Sequence, residues 1–205
     1  MFSLRTLIAS VMLLLSPLAV ANADAASEAF VKENATKVLS ALDDADLTAP
    51  ERIAQFNEFM DEFTNLDGIS RFVLGKYSRR FSAEDLARYR NAYQDYSLAN
   101  YEAQFEEYRG ADIEILSSHD RKRDSIVKSI VRKSDGDALE VSWRVRSRGE
   151  ALELIDVGLN LEGSLLWLAV EQRAQFLDLL DRNDGSADSL ISKLEELTAE
   201  LNAPS

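Results

Sequence analysis

Catalysis needs titratable or nucleophilic groups brought together, and this sequence offers few of them. It has one histidine, His119, and no cysteine, so a thiol nucleophile, a disulfide framework and a Cys/His zinc cage are all excluded. A Ser-His-Asp triad would have to use His119. That residue lies in the polar run Ser118-His119-Asp120-Arg121-Lys122, which reads as an exposed turn, and no G-x-S-x-G nucleophile elbow accompanies it. The acidic pairs Asp43/Asp44, Glu106/Glu107 and Glu195/Glu196 are neighbours on predicted helices, where adjacent side chains point in different directions. P-loop and dinucleotide-binding fingerprints are missing. One carboxylate is oddly placed: Asp156 interrupts an apolar strand. In an isomerase-like cavity it would act as a general base; as a structural residue it would be a hydrogen-bonded strand aspartate. No cofactor or metal ion is expected.

Charge is more informative than any catalytic constellation. The 205-residue chain carries 23 Lys plus Arg against 36 Asp plus Glu, a net charge of −13, which argues against nucleic-acid partners because these require clustered positive charge. Between Arg121 and Arg148, however, nine basic residues face four acidic ones. Arg144, Arg146 and Arg148 alternate along one predicted strand, on the face opposite Trp143, and are candidates for docking a lipid head group or an anionic partner.

The elements that would position these residues follow from periodicity. Residues 1–23 join a short basic start, the apolar stretch Leu7–Val20 and the small-x-small site Ala21-Asn22-Ala23. They read as a cleavable signal peptide, too short in its apolar part to span a membrane. Residues 24–205 then form a single α+β domain large enough to bury a core without staples, exported in soluble form.

A helical part is expected over about 27–109. Its stripes are Val31/Ala35/Val38/Leu42, Ile53/Phe56/Phe59/Met60/Phe63 behind the Thr48-Pro50 start, and Ile69/Phe72/Val73/Leu74 capped by Asp67 and closed by Gly75. A long aromatic helix opened by Ser82 carries Tyr93, Tyr96 and Phe105 and stops at Gly110. The period then changes to two. Strands over about 111–168, joined by Gly-centred turns at Gly136 and Gly149, make an antiparallel meander. Leu139, Val141, Trp143 and Val145 lie on its apolar face. Helices return over about 170–201. The expected architecture is a curved antiparallel sheet covered by helices and enclosing an apolar pocket.

Two blocks give this order a further meaning. The first is Phe63-Thr64-Asn65-Leu66-Asp67-Gly68-Ile69-Ser70-Arg71-Phe72-Val73-Leu74-Gly75, ahead of the aromatic helix. The second is Asp156-Val157, then Leu161-Glu162-Gly163-Ser164, Gln172-Arg173-Ala174-Gln175-Phe176 and the segment from Gly185 to Leu194. From about Phe30 to Leu197 the chain resembles the MlaC/toluene-tolerance family of periplasmic phospholipid-binding proteins. It departs from that pattern at Leu152 to Ile155 and at Trp167.

The resemblance implies a periplasmic carrier, not an enzyme, holding phospholipid acyl chains in its apolar pocket and moving lipid between the outer and inner membranes. Its expected partners are an inner-membrane ABC transporter complex and an outer-membrane lipoprotein complex, with only transient membrane contact. The acyl chains would lie against Leu139, Val141, Trp143, Val145 and Leu159 or Leu161 of the sheet, and Tyr93, Tyr96 and Phe105 of the long helix. Three other readings compete: a hopanoid-associated lipid-binding protein of the same fold, a cavity enzyme of isomerase type using Asp156, and a periplasmic adaptor or chaperone using the basic sheet face for a protein partner.

Overall fold

The computed structural model describes residues 21–103 and 105–203. The first twenty positions of the expected signal peptide therefore lie outside the described residues, and Ala21 opens the first helix. Six α-helices and five strands follow in the order α1 (Ala21–Asp43), α2 (Ala49–Phe63), α3 (Leu66–Leu74), α4 (Ala83–Glu102), β1 (Asp112–Arg121), β2 (Asp124–Arg132), β3 (Ala138–Arg148), β4 (Ala151–Leu161), β5 (Ser164–Trp167), α5 (Leu168–Arg182) and α6 (Ala187–Leu201). The strands form one antiparallel curved sheet in sequence order, β1-β2-β3-β4-β5. The fold is α+β, as the change of period from 3.6 to two predicts.

Local chemistry sets the helix ends. Ser82 accepts a hydrogen bond from the Asp85 amide at 3.0 Å, and Ser186 does the same for Ser189 at 3.2 Å, satisfying amides that a first turn leaves unpaired. At α3 the cap is not Asp67. Asn65 accepts from the Gly68 amide at 2.7 Å, which frees Asp67 to pair with Arg71 at 3.2 Å on its own helix and Arg90 at 2.8 Å on α4. The long helix also ends earlier than expected. α4 stops at Glu102, and a separate 3₁₀ turn at Phe105–Tyr108 completes the path to Gly110.

Two apolar cores result. α3, α4, α5 and α6 enclose Val73, Leu74, Tyr89, Tyr93, Phe176, Leu180, Leu190 and Leu194. Burying each such leucine contributes about 2 kcal/mol. Tyr89 keeps its hydroxyl satisfied by donating to the Ser70 carbonyl at 3.0 Å. The second core lies between the sheet and the α1–α2 hairpin. Val31 of α1 meets Ile113, Val127, Val131, Val141 and Val145 of the sheet, while Phe56, Met60 and Phe63 of α2 meet Leu154 of β4.

Two β-bulges shape the sheet. Between Ile115 and Ser117 the register with β2 shifts, so Leu116 is exposed while Ile113 and Ile115 share the inner face. Opposite Arg144 and Val145, β4 carries one extra residue, Ile155. Without it, Leu152 and Leu154 would face away from Val157 and Leu159; with it, all four join the apolar layer. His119 is not in a turn. It lies within β1 opposite Ile126 and is exposed.

Candidate functional site

The inner face of the sheet, the α1–α2 hairpin over it and the end of α4 form one apolar layer, the candidate site. Alternation on β3 places Val141 and Val145 in the apolar layer, with Leu139, Trp143 and Leu159 half-buried beside them. Val127 and Val145 have no exposed surface, so in this conformation α1 closes this strip of sheet from solvent. Trp143 joins the two halves of the layer. It packs with the β2 and β3 valines on one side and with Phe56, Met60 and Phe63 on the other. Its indole Nε1 donates to the buried Ser129 hydroxyl at 2.8 Å, which gives the one polar atom of the ring a partner.

The other candidates fall elsewhere. Tyr93 belongs to the helical core and donates its hydroxyl to Gln172 Oε1 at 2.8 Å; burial pushes its pKa up strongly. Tyr96 packs half-buried against the same core. Leu161 is 47% exposed at the end of β4 and lies outside the layer. The Phe105 side chain lies outside the described residues. The wall that sequence reasoning missed comes from α1 and α2, as Phe30, Val38, Phe56, Met60 and Phe63, with Leu98 and Tyr101 from α4. The α2 stripe was visible in the sequence, but nothing local says which sheet face it covers.

On the outer face, Arg144 and Arg146 converge on one carboxylate. Arg144 Nε donates to Asp124 Oδ2 at 2.7 Å, and Arg146 Nε to Asp124 Oδ1 at 2.8 Å. The Asp124 side chain is only 5% exposed. Burial raises its pKa, but the two arginines outweigh that and hold it below the ordinary carboxylate value. Arg148 is separate. It reaches Glu153 at 3.5 Å and remains 68% exposed, beside a polar cleft of about 400 Å³ lined by Thr64, Asn65, Arg90 and Glu153.

Asp156 is buried and hydrogen-bonded to the backbone. Its Oδ1 accepts from the amides of Val157 and Ala169, both at 2.9 Å, and so ties the β4 bulge to the first turn of α5. Burial raises its pKa, opposed by those two hydrogen bonds. A raised folded-state pKa means the native state holds its proton more tightly than the unfolded chain does. Stability from this group therefore falls as pH rises from about 4 through the folded pKa. Asp156→Asn keeps the acceptor and removes the titration: unfolding free energy at pH 7 is expected within about 1 kcal/mol of the parent, with a flatter pH profile. Asp156→Ala strands both amides and should cost about 1–3 kcal/mol. Urea melts between pH 4 and pH 8 check both.

Among the described residues, no helix is long and apolar enough to cross a membrane.

The sequence pattern of a protein family described as MlaC protein matches residues 32–196. No curated protein sequence matches the chain. Among solved structures, a phospholipid-binding protein from Ralstonia solanacearum, determined in complex with a phospholipid, superposes with a TM-score of 0.73 at 19% sequence identity. The match covers 86% of this chain and 98% of that one. At that identity the likeness shows a shared fold.

Proposed function

The chain belongs to the MlaC family, and we propose on that footing that it is a periplasmic carrier that buries the acyl chains of a phospholipid between its sheet and its α1–α2 hairpin. The observation that carries this reading is the apolar layer around Trp143, contributed by β1 to β4, α1, α2 and the end of α4, in a fold shared with a protein solved in complex with a phospholipid. The physical need is plain. At about 0.8 kcal/mol per methylene, two long acyl chains cost on the order of 20 kcal/mol to expose to water, so an unassisted lipid does not cross an aqueous compartment. A protein layer of similar apolarity makes the transfer nearly neutral in energy.

Direction must then come from the complexes at either end. In this proposal they are an inner-membrane ABC transporter and an outer-membrane lipoprotein assembly, the chain being exported to the space between them by residues 1–23. Binding by burial requires no catalytic group. The setting of Asp156, which accepts two backbone hydrogen bonds, supports a carrier over a cavity enzyme.

The test is transfer of a fluorescent phospholipid from donor vesicles to the purified protein, measured for the parent and for Asp156→Asn. A carrier loads in both forms. Absence of loading in the parent would refute the proposal, and loss of loading in Asp156→Asn alone would return Asp156 to a functional role.

A further inference from the structure

If the chain carries lipid, the closed strip of sheet under α1 poses a problem of access. Beside it lies an open groove of about 770 Å³ between α1 and α2, within the roughly 300–1,000 Å³ typical of sites for small ligands. Its floor is Phe59 of α2. That ring packs against the cluster of Phe56, Met60, Phe63 and Leu154, which also contains Phe30, Trp143 and Val157. The apolar floor of the groove is thus continuous with the inner face of the sheet.

The walls have the composition of a parting seam. α1 lines the groove with the small, unbranched residues Ala29, Ser40 and Ala41, which interlock less than branched side chains would. The rim alternates in sign: Lys32 and Lys37 stand with Glu33 and Asp44, and Lys37 pairs with Glu33 at 3.0 Å in an exposed contact. Surface pairs of this kind are worth little and exchange partners readily. Two ammonium groups and two carboxylates complement a head group that itself carries one phosphate and one amine.

We propose that the groove between α1 and α2 is the entry site for a zwitterionic glycerophospholipid. The acyl chains pass over Phe59 toward Trp143 as the two helices part, and the head group stays at the Lys32/Lys37 rim. This rests on the carrier reading and adds to it where the lipid enters.

The absence of cysteine allows a direct test. Ser40→Cys and Gln55→Cys place one thiol on each wall of the groove, to be joined by a bismaleimide with a reducible linker. Uptake of fluorescent phosphatidylethanolamine from vesicles should slow at least about tenfold in the bridged protein and recover when the linker is reduced, as expected for a gate that must open. A control bridge between Arg88→Cys and Asp188→Cys, which replaces an ion pair joining α4 to α6 at 2.8 Å, should leave uptake unchanged. Lys32→Glu with Lys37→Glu should slow loading without a bridge. Uptake at the unbridged rate with the Ser40–Gln55 bridge in place overturns the entry site while leaving the carrier intact. Failure of the unbridged protein to load overturns both.

Discussion

Trp143→Ala is expected to lower unfolding free energy by about 3–5 kcal/mol, the range for removing a large aromatic from an apolar layer, and to reduce lipid loading more than any other single truncation in the sheet. The reason is its position. The indole belongs to both halves of the layer over the sheet, so its loss opens a void that neither half can close alone. It also removes the donor that satisfies the Ser129 hydroxyl, which is 1% exposed and is otherwise left with a long contact of 3.5 Å to the Val141 carbonyl. Trp143→Phe separates the two effects. It keeps most of the apolar area and loses the hydrogen bond, so it should cost only about 1–2 kcal/mol and retain most loading. Urea denaturation and fluorescent-lipid uptake on the same preparations measure both quantities. If Trp143→Ala loads lipid like the parent, the acyl chains do not lie against this ring.

The second large effect is expected at Asp124. Asp124→Ala leaves two guanidinium groups facing each other on the outer sheet without the carboxylate that joins them, and should cost about 2–3 kcal/mol. That value is reduced from the range for a fully buried pair because both arginines remain in part exposed to solvent. The pH dependence gives the signature. The folded-state pKa of Asp124 is lowered, so its contribution is present above the ordinary carboxylate pKa of about 4 and is lost as pH falls through the folded value. The stability gap between the parent and Asp124→Asn should therefore be widest near neutrality and close in acid. A gap that stays constant down to pH 2 would show that packing, not the ion pair, is responsible.

This pairing also changes how the basic strand is read. Alternation in the sequence placed Arg144, Arg146 and Arg148 together on the face opposite Trp143, as candidates for docking. Their carboxylate partner sits on the neighbouring strand, and cross-strand register cannot be read from one strand's pattern. With Arg144 and Arg146 both held by Asp124, Arg148 is the most exposed cation of the three. A charge reversal at Arg144 or Arg146 would consequently test stability as much as docking.

The same contrast between local and long-range information runs through the fold. The cap at Ser82 and the period-two run from Leu139 to Val145 were legible, because each depends on residues within a few positions of one another, whereas the α3 cap moved from Asp67 to Asn65. The β4 bulge was legible in principle: the apolar residues Leu152, Leu154, Val157 and Leu159 slip by one position, and only an extra residue restores them to one face. Asp156 lies beside that slip, and its buried hydrogen bonds to the bulge and to α5 explain a carboxylate that looked misplaced in an apolar strand.

What could not be read was assembly. Tyr93 and Tyr96 lie on the aromatic stripe of α4, yet they pack into the helical core while Leu98 and Tyr101, on the same helix, reach the sheet layer. Which side of a helix meets which neighbour depends on packing across the whole chain. The contribution of α1 and α2 to the apolar layer was hidden for the same reason.

Native mass spectrometry of the protein, purified without detergent or organic solvent, is the most direct test of lipid carriage. A carrier should give a population heavier than the polypeptide alone by the mass of phospholipid, released on activation in the gas phase, and recovered when delipidated protein is incubated with phospholipid vesicles. Protein at the polypeptide mass alone, both as purified and after incubation with vesicles, would contradict it.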